Sequence, residues 1–583
     1  MADIRFGELS DEQRGVVECD DQYISVLASA GSGKTEVVAQ RVERLLHDSA
    51  EDFKVLALSY TRRAAAELRD RFANRLGDNR TRVETDTLHG FAQRLLFQYG
   101  TWIGLPANPT IIVDDADRVE LLQAWRQSSG LDDLVDARTQ LLELDLCRAQ
   151  AEPHPLASEW QDALADAGAL DYESMLARAT ELLDLGAIGA TVSRIYRYII
   201  VDEAQNLTKS QYVFLERFLK CSKQSSALLV GDDKQSIVEF AGASVEYLQT
   251  FIKTFEATEF HLTRNFRSAK VIVQLGDAIA SVLGDSPSVA QNYAAHGMVE
   301  KRIFSNEAAE ASGIAAWVEN LLEQGIPREA LSPSESPDLI DRDIAILARS
   351  AAALRTTEEE LRKAGVPIAR STHADDWLMS DFGRITWSLG TFRPESAISR
   401  RKLARVLGLL PTTSAEDIRA KLIKDGLEDL VLILEDNLPE NFIQIVSSTE
   451  SNKEGWFEDR EEILLAWAAF CEQNSSNDRN WPQFELFVNR WQRGDDDNPG
   501  VRIQTVHKSQ GREFKVVALI GMNEGQFPDF RASDDKSMRA ELRAFYVAST
   551  RASRYLLLTR PESRMSRNGP WTRPESRFFK FVP

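Results

Sequence analysis

The chain has 583 residues, of which 43% are hydrophobic and 27% charged, and its net charge is −21. That length is too great for one hydrophobic core, so three or four domains are expected, and the composition excludes disordered, collagen-like and disulfide-scaffold classes. The longest apolar runs, such as residues 516–522, are far too short to cross a bilayer, and Met1-Ala-Asp-Ile-Arg-Phe lacks the apolar core of a signal peptide. A cytoplasmic protein with no membrane partner is therefore expected. Cys19, Cys147, Cys221 and Cys471 stand apart from one another, which points to a reducing compartment without a zinc site or an iron–sulfur cluster. The charge is uneven. Residues 113–186 hold 17 Asp/Glu against 5 Arg/Lys, whereas residues 551–583 hold 8 Arg/Lys against 2 Glu. Both runs read equally as solvated faces, but a local basic surface can bind phosphates on an acidic protein.

The first element in chain order is the most informative. In Tyr23-Ile-Ser-Val-Leu-Ala-Ser-Ala-Gly-Ser-Gly-Lys-Thr35 an apolar strand enters a loop of small residues, and an amphipathic helix follows. This is the pattern of a phosphate-binding loop, although Ala28 stands where the first Gly is usual. The backbone of Ala30, Gly31, Ser32 and Gly33 would cradle phosphate oxygens, with the helix N-terminus adding positive partial charge. Lys34 would reach the β- and γ-phosphates, and the Thr35 hydroxyl would bind Mg²⁺.

A leucine- and alanine-rich acidic stretch, residues 92–186, reads as a helical insertion, because Lys34 is followed only 168 positions later by the next catalytic signal, Asp202. There Arg197-Tyr-Ile-Ile-Val-Asp-Glu-Ala-Gln205 reads as a strand ending in two carboxylates. Asp202 would hold Mg²⁺ and Glu203 would orient and deprotonate the attacking water. Loop and carboxylates together define an ATPase. The α/β rhythm resumes at Ala227-Leu-Leu-Val-Gly-Asp232. A second set of strands follows at Asp343-Ile-Ala-Ile-Leu-Ala348, Lys515-Val-Val-Ala-Leu-Ile520 and Tyr555-Leu-Leu-Leu-Thr559. Between them, residues 394–498 read as a second, mostly helical insertion, ending in the turn-rich Gly494-Asp-Asp-Asp-Asn-Pro-Gly500. The expected organisation is a first α/β core (residues 1–91 and 187–266) and a second (267–393 and 499–583), each interrupted by one insertion.

The remaining motifs resemble the UvrD/Rep/PcrA family of superfamily-one DNA helicases, in the family's order and across both cores. The resemblance implies two RecA-like parallel-sheet domains and a set of roles. Gln13, in Leu9-Ser-Asp-Glu-Gln13, would contact adenine. Ser59-Tyr-Thr-Arg-Arg-Ala-Ala-Ala-Glu67 and Thr87-Leu-His-Gly90 would touch single-stranded DNA through Tyr60, Thr61, Arg62, Thr87 and His89. In Gly231-Asp-Asp-Lys-Gln-Ser236, Gln235 would sense the γ-phosphate and link it to DNA. Thr263-Arg-Asn-Phe-Arg-Ser268 would stack Phe266 on adenine and supply Arg267. Thr505-Val-His-Lys-Ser-Gln-Gly-Arg-Glu513 would bring Thr505 and His507 to DNA and Glu513 to the nucleotide, and Phe545-Tyr-Val-Ala-Ser-Thr-Arg-Ala552 would supply Arg551.

The chemistry agrees with those roles. ATP would lie between the cores, with Lys34, Thr35, Asp202 and Glu203 on one wall and Arg267 and Arg551 approaching from the other to neutralise charge on the γ-phosphate. Tyr60 and Phe240 read either as base-stacking platforms or as core. Phe240-Ala241 replaces the family's usual Trp-Arg, Phe266 a common Tyr, Lys234 an acidic residue and Arg62 a common Asn. The second insertion is also short for the family. The expected function is an ATP- and Mg²⁺-dependent DNA translocase and helicase that moves 3′ to 5′ on single strands and engages single/double-strand junctions. The alternative is a nucleotide-gated regulatory subunit that switches a separately encoded nuclease in a repair or phage-defence assembly.

Overall fold

The computed structural model describes residues 9–582 apart from 48–52, 108, 113–114, 131–135, 151, 238–241, 284–289, 292–294, 370–379, 393–396, 411–412, 435–437, 450–455, 474–478, 491–499 and 567–568. The chain divides into two compact units. The first comprises Met1–Asp86, Ala190–Arg370 and Asp496–Pro583, and the second Thr87–Gly189 and Ser371–Asp495.

The first unit holds two sheets. Strands β1 (Tyr23–Ala28), β2 (Lys54–Ser59), β3 (Val83–Thr87), β4 (Tyr196–Val201), β5 (Ser226–Gly231) and β6 (Thr258–Leu262) lie in the order β3-β2-β4-β5-β1-β6. The four ladders that join β2, β4, β5, β1 and β6 are parallel. Helices cover a parallel sheet on both faces, so its strands are apolar runs rather than alternating ones. Val55, Ala57, Ile200, Leu228 and Val230 are accordingly buried in one core with Val37, Val38 and Val42 of the helix Lys34–His47. The order matters for the site, because parallel sheets collect ligands beyond the carboxyl ends of their strands. Neighbouring β4, β5, β1 and β6 end within the sequence segments that carry the Asp-Glu pair, the Asp232 turn, the phosphate loop and Asn265.

The second sheet contains β7 (Met298–Asn306), β8 (Ile344–Ala348), β9 (Arg502–Thr505), β10 (Phe514–Leu519), β11 (Ala552–Ser566) and β12 (Gly569–Thr572). Its order is β7-β11-β10-β8-β9, with all ladders parallel except β12, which runs antiparallel to β11. Ile344, Ile346, Val516 and Leu557 face one core, and Leu347, Val517, Leu519, Leu556 and Leu558 face the other. The edge strand β7 carries Glu300, Lys301 and Arg302 and is largely half-exposed, as an edge exposed to solvent requires.

The second unit is mostly helical. Residues 112–169 form one small core around Trp160, and residues 382–488 form another around Phe442, Phe470, Trp481 and Phe484. Trp481 packs edge-on against Phe442, with ring centroids 4.9 Å apart. It lies so close to the helix Asp381–Gly390 that a Cβ added at Gly390 would be 2.2 Å from its ring. Arg405 of the helix Ala397–Val406 pairs with Asp117 and Glu120 of the helix Asp115–Ser128, which ties the two chain segments of this unit together. Among the described residues, no helix is long and apolar enough to cross a membrane.

Candidate nucleotide and nucleic-acid site

The phosphate loop leaves β1 and is held open from both sides. Gly31 and Gly33 have φ of 72° and 80°, a left-handed geometry that costs glycine little and other residues much. A Cβ on Gly31 would also lie 2.7 Å from Asn265 Oδ1, and one on Gly33 would lie 2.6 Å from Gln13 Nε2. Those two neighbours are the clamps. Asn265 Nδ2 donates to the Ala30 carbonyl (2.9 Å), and its Oδ1 accepts from the backbone N–H groups of Arg267 and Ser268. Gln13 Nε2 donates to the Ser32 carbonyl (2.9 Å), while its Oε1 accepts from the Ser10 N–H to complete the cap of the helix Asp11–Glu18. Gln13 is thereby presented at the loop. The Ser32 hydroxyl is buried without a hydrogen-bond partner among the described residues, which fits a loop shaped for an external acceptor.

The carboxylates follow β4. Glu203 adopts φ 55° and ψ 38°, rare for a residue with a Cβ, and its N–H donates to Asp202 Oδ1 (2.9 Å). Lys34 Nζ lies 3.9 Å from Glu203 Oε1. Burial, and next the charge of Glu203, pushes the Asp202 carboxyl up to about 7, with Lys34 opposing. Burial would raise Glu203 too, but Lys34, the Gln205 amide, Arg551 and Arg267 hold it below the ordinary carboxylate value. Asp202 and the Thr35 hydroxyl are hard oxygen donors of the kind that would suit Mg²⁺.

Across from this wall, Arg551 caps the helix Asp535–Thr550 and is 2% exposed. Its Nη2 donates to Gln235 Oε1 (2.9 Å), its Nη1 to the Arg512 carbonyl (2.8 Å) and its Nε to the Val547 carbonyl (3.2 Å). Burial, and next the charge of Arg267, lowers its pKa to about 10, so it remains a cation at neutral pH. Gln235 Nε2 in turn donates to Asp232 Oδ2 (2.7 Å), and the Gln235 carbonyl accepts from Gln510 Nε2 (3.1 Å). Arg267 forms an ion pair with Glu513. The segments after β4, β5 and β6 of the first sheet, the last of which carries Arg267, thus meet Arg551 and Glu513. Phe266 is 40% exposed, and its N–H donates to the Gly31 carbonyl.

The residues expected at DNA divide between the units. Tyr60, Thr61, Arg62, Thr505 and His507 belong to the first, and Thr87 and His89 to the second. Thr61 caps the helix Arg62–Leu76 and Thr87 the helix Leu88–Tyr99, each hydroxyl accepting a backbone N–H. Helix N-termini of this kind favour phosphates. His89 packs edge-on against Tyr172, with ring centroids 5.2 Å apart. Phe240, with Ala241, lies outside the described residues.

Asn265, Gln205 and Gln510 escaped the sequence reading, although each lies inside a motif quoted for another residue. Their signal is an amide side chain in the middle of a site motif. Gln205 is completely buried, and its amide joins Glu203 to Asp232. Arg349 and Glu541, bonded through two arginine nitrogens beside His507, gave no signal, because 192 positions separate them.

Two parallel α/β sheets, the first carrying the phosphate loop and the second joined to it through Arg551 and Gln235, define the class as a RecA-like motor ATPase. The chain belongs within that class to the UvrD/Rep helicases. The model of the UvrD/REP helicase N-terminal domain matches residues 9–256, and that of the UvrD-like helicase C-terminal domain matches residues 415–563. It is 24% identical over 678 aligned positions to the ATP-dependent DNA helicase UvrD1 of Mycobacterium tuberculosis, covering 100% of this chain and 86% of that protein. It is likewise 24% identical over 658 positions to the ATP-dependent DNA helicase PcrA of Staphylococcus aureus, covering 99% and 86%. The protein is an ATP-dependent helicase of the UvrD/PcrA-like kind.

Proposed function

We propose that this helicase translocates 3′ to 5′ on single-stranded DNA, hydrolysing ATP in the cleft between its two RecA-like cores. The observation that carries the reading is the bond from Arg551, on the second core, to Gln235, on the first, 316 positions away in sequence. A γ-phosphate placed near Lys34 would compete for that arginine, so nucleotide state and core closure become one variable. In this reading Lys34 binds phosphate, Glu203 is the general base, Arg267 and Arg551 neutralise transition-state charge, and Phe266 and Gln13 hold adenine. Thr35 and Asp202 hold Mg²⁺, which when bound polarises the phosphates. We assign the first core to residues 1–91 and 187–266 and the second to 267–393 and 499–583.

The DNA contacts belong to Tyr60, Thr61, Arg62, Thr87, His89, Phe240, Thr505 and His507. The Thr61 cap uses a lone pair of the hydroxyl and leaves its O–H to donate to a phosphate. Tyr60 is half-buried and carries the proposed base-stacking contact. The test is ATP turnover with and without oligo-dT, followed by displacement of streptavidin from a biotin at the 3′ or the 5′ end. Stimulation by DNA and faster displacement from the 5′ end are expected. Displacement favouring the 3′ end, or none, defeats the directional reading. The altered Phe240-Ala241 pair favours a second reading, a nucleotide-gated regulator of a partner nuclease, which predicts turnover indifferent to oligo-dT.

A further inference from the structure

Glu203 is the residue on which turnover depends in the reading above, and its backbone is in a left-handed conformation that does not fix a side chain by itself. Lys34 pairs with Glu203 Oε1 at 3.9 Å, and a side-chain amide hydrogen-bonds its other oxygen. Gln205 Nε2 donates to Glu203 Oε2 at 2.5 Å, and Gln205 Oε1 accepts from the Asp232 backbone N–H at 3.0 Å. The amide has one donor end and one acceptor end, and both are used, so it has a single orientation. Its surroundings are tight. A Cβ on Gly231 would lie 2.8 Å from Gln205 Oε1 and 3.0 Å from Gln205 N. Beyond Asp232 the bonds continue through Gln235 to Arg551. A continuous line of hydrogen bonds therefore runs from the base on the first core to the arginine on the second.

We propose that Gln205 is a positioning residue for hydrolysis: its amide aims the Glu203 carboxylate and, through Asp232 and Gln235, makes that aim depend on whether Arg551 is engaged. Gly231 is glycine because the amide occupies the space a side chain would fill. The inference rests on Glu203 being the base. When a γ-phosphate draws Arg551 away, Gln235 and Asp232 are released together, and the Asp232 N–H that fixes the acceptor end of Gln205 shifts with them. Base alignment and core closure then change in one step.

The test is single-turnover hydrolysis by the full chain at saturating ATP, beside calorimetric ADP binding and thermal melting. Gln205→Glu keeps the acceptor toward Asp232 but replaces the donor with an anion. It should slow hydrolysis by roughly 10- to 100-fold, the value of a lost hydrogen bond to a charged group, with ADP affinity and melting temperature near those of the parent. Gly231→Ala leaves Gln205 in place and displaces its amide. It should slow hydrolysis by a similar factor, and the double variant should be no slower than the worse single one. Should Gln205→Glu fail to fold, Gly231→Ala alone carries the expectation. Hydrolysis within twofold of the parent in the folded variants, or parallel loss of hydrolysis, ADP affinity and melting temperature, overturns the role of Gln205. Glu203→Gln is run alongside. If it hydrolyses ATP normally, the base assignment falls and the positioning role falls with it. If it is inactive while Gln205→Glu is normal, only the positioning role falls.

Discussion

The two units solve burial in opposite ways. The first places Arg551, Gln205, Asp202, Asp232, Gln235 and Asn265 in its interior and bonds them to one another or to nearby backbone groups. The second fills its larger core with Trp387, Phe442, Phe470, Trp481 and Phe484 and keeps its charged contacts outside that core, among them Arg405 with Asp117 and Glu120, Arg148 with Asp171 and Arg126 with Glu159. Buried polar groups cost free energy unless fully paired, and their worth lies in aligned geometry; aromatic packing contributes stability with little directional demand. Where chemistry is done, the chain accepts the costly arrangement. In the larger helical core it uses the stable one.

If that contrast is right, substitutions in the two units should fail in different observables. The largest effect is expected for Lys34→Ala and Arg551→Ala. Each should lower ATP turnover by on the order of 10³-fold, through lost stabilisation of γ-phosphate charge. Lys34→Ala should do so with little change in melting, whereas Arg551→Ala also strips Gln235 and two carbonyls of a buried donor and should lower the melting temperature. Stopped-flow phosphate release decides it, and a lost melting transition with normal turnover per folded molecule would erase the contrast. Trp481→Ala should do the reverse. It empties the space between Phe442 and the helix at Gly390 and should cost about 3–5 kcal/mol of stability in the second unit. Hydrogen exchange should show that unit opening, while DNA-free ATP turnover stays within about twofold.

Tyr60→Ala should weaken single-strand binding by about 1–3 kcal/mol with little dependence on base sequence, measured by fluorescence anisotropy. Arg405→Ala should destabilise the second unit by about 1–2 kcal/mol. The figure falls below that for a fully buried pair because the Arg405 side chain is 30% exposed. Urea titration followed by tryptophan emission reads it.

The smallest effect concerns His507. Burial, and next the charge of Arg349, lowers its pKa below the ordinary 6.5, against Glu541 and the backbone at Ile237. The unfolded chain then binds this proton more readily than the folded one, so the stabilisation is complete above pH 6.5 and is lost as pH falls through the lower, folded value. A neutral imidazole at pH 7 makes no ionic phosphate contact. His507→Gln should therefore leave the salt dependence of DNA binding unchanged, and a slope smaller by about one would show a charged contact instead.

The amino-acid sequence by itself determined the chemistry-bearing segments and the α/β class. The strands before Lys34, Asp202 and Asp232 are short apolar runs ended by small or acidic residues, and a pattern local to a dozen positions is legible without partners. Strand β7 was not legible, because an edge strand carrying Glu300, Lys301 and Arg302 has no continuous apolar run. Only the tertiary structure decided which motifs share a pocket. It gathered the insertions into one unit and set Gln205 between Glu203 and Asp232. It also brought Arg551 to Gln235 and Arg349 to Glu541. Those pairings lie up to 316 positions apart, and their geometry depends on strand order and on how close two backbones approach at Gly231. Sequence records which polar groups must be satisfied, whereas the packing of the sheets decides which groups satisfy them.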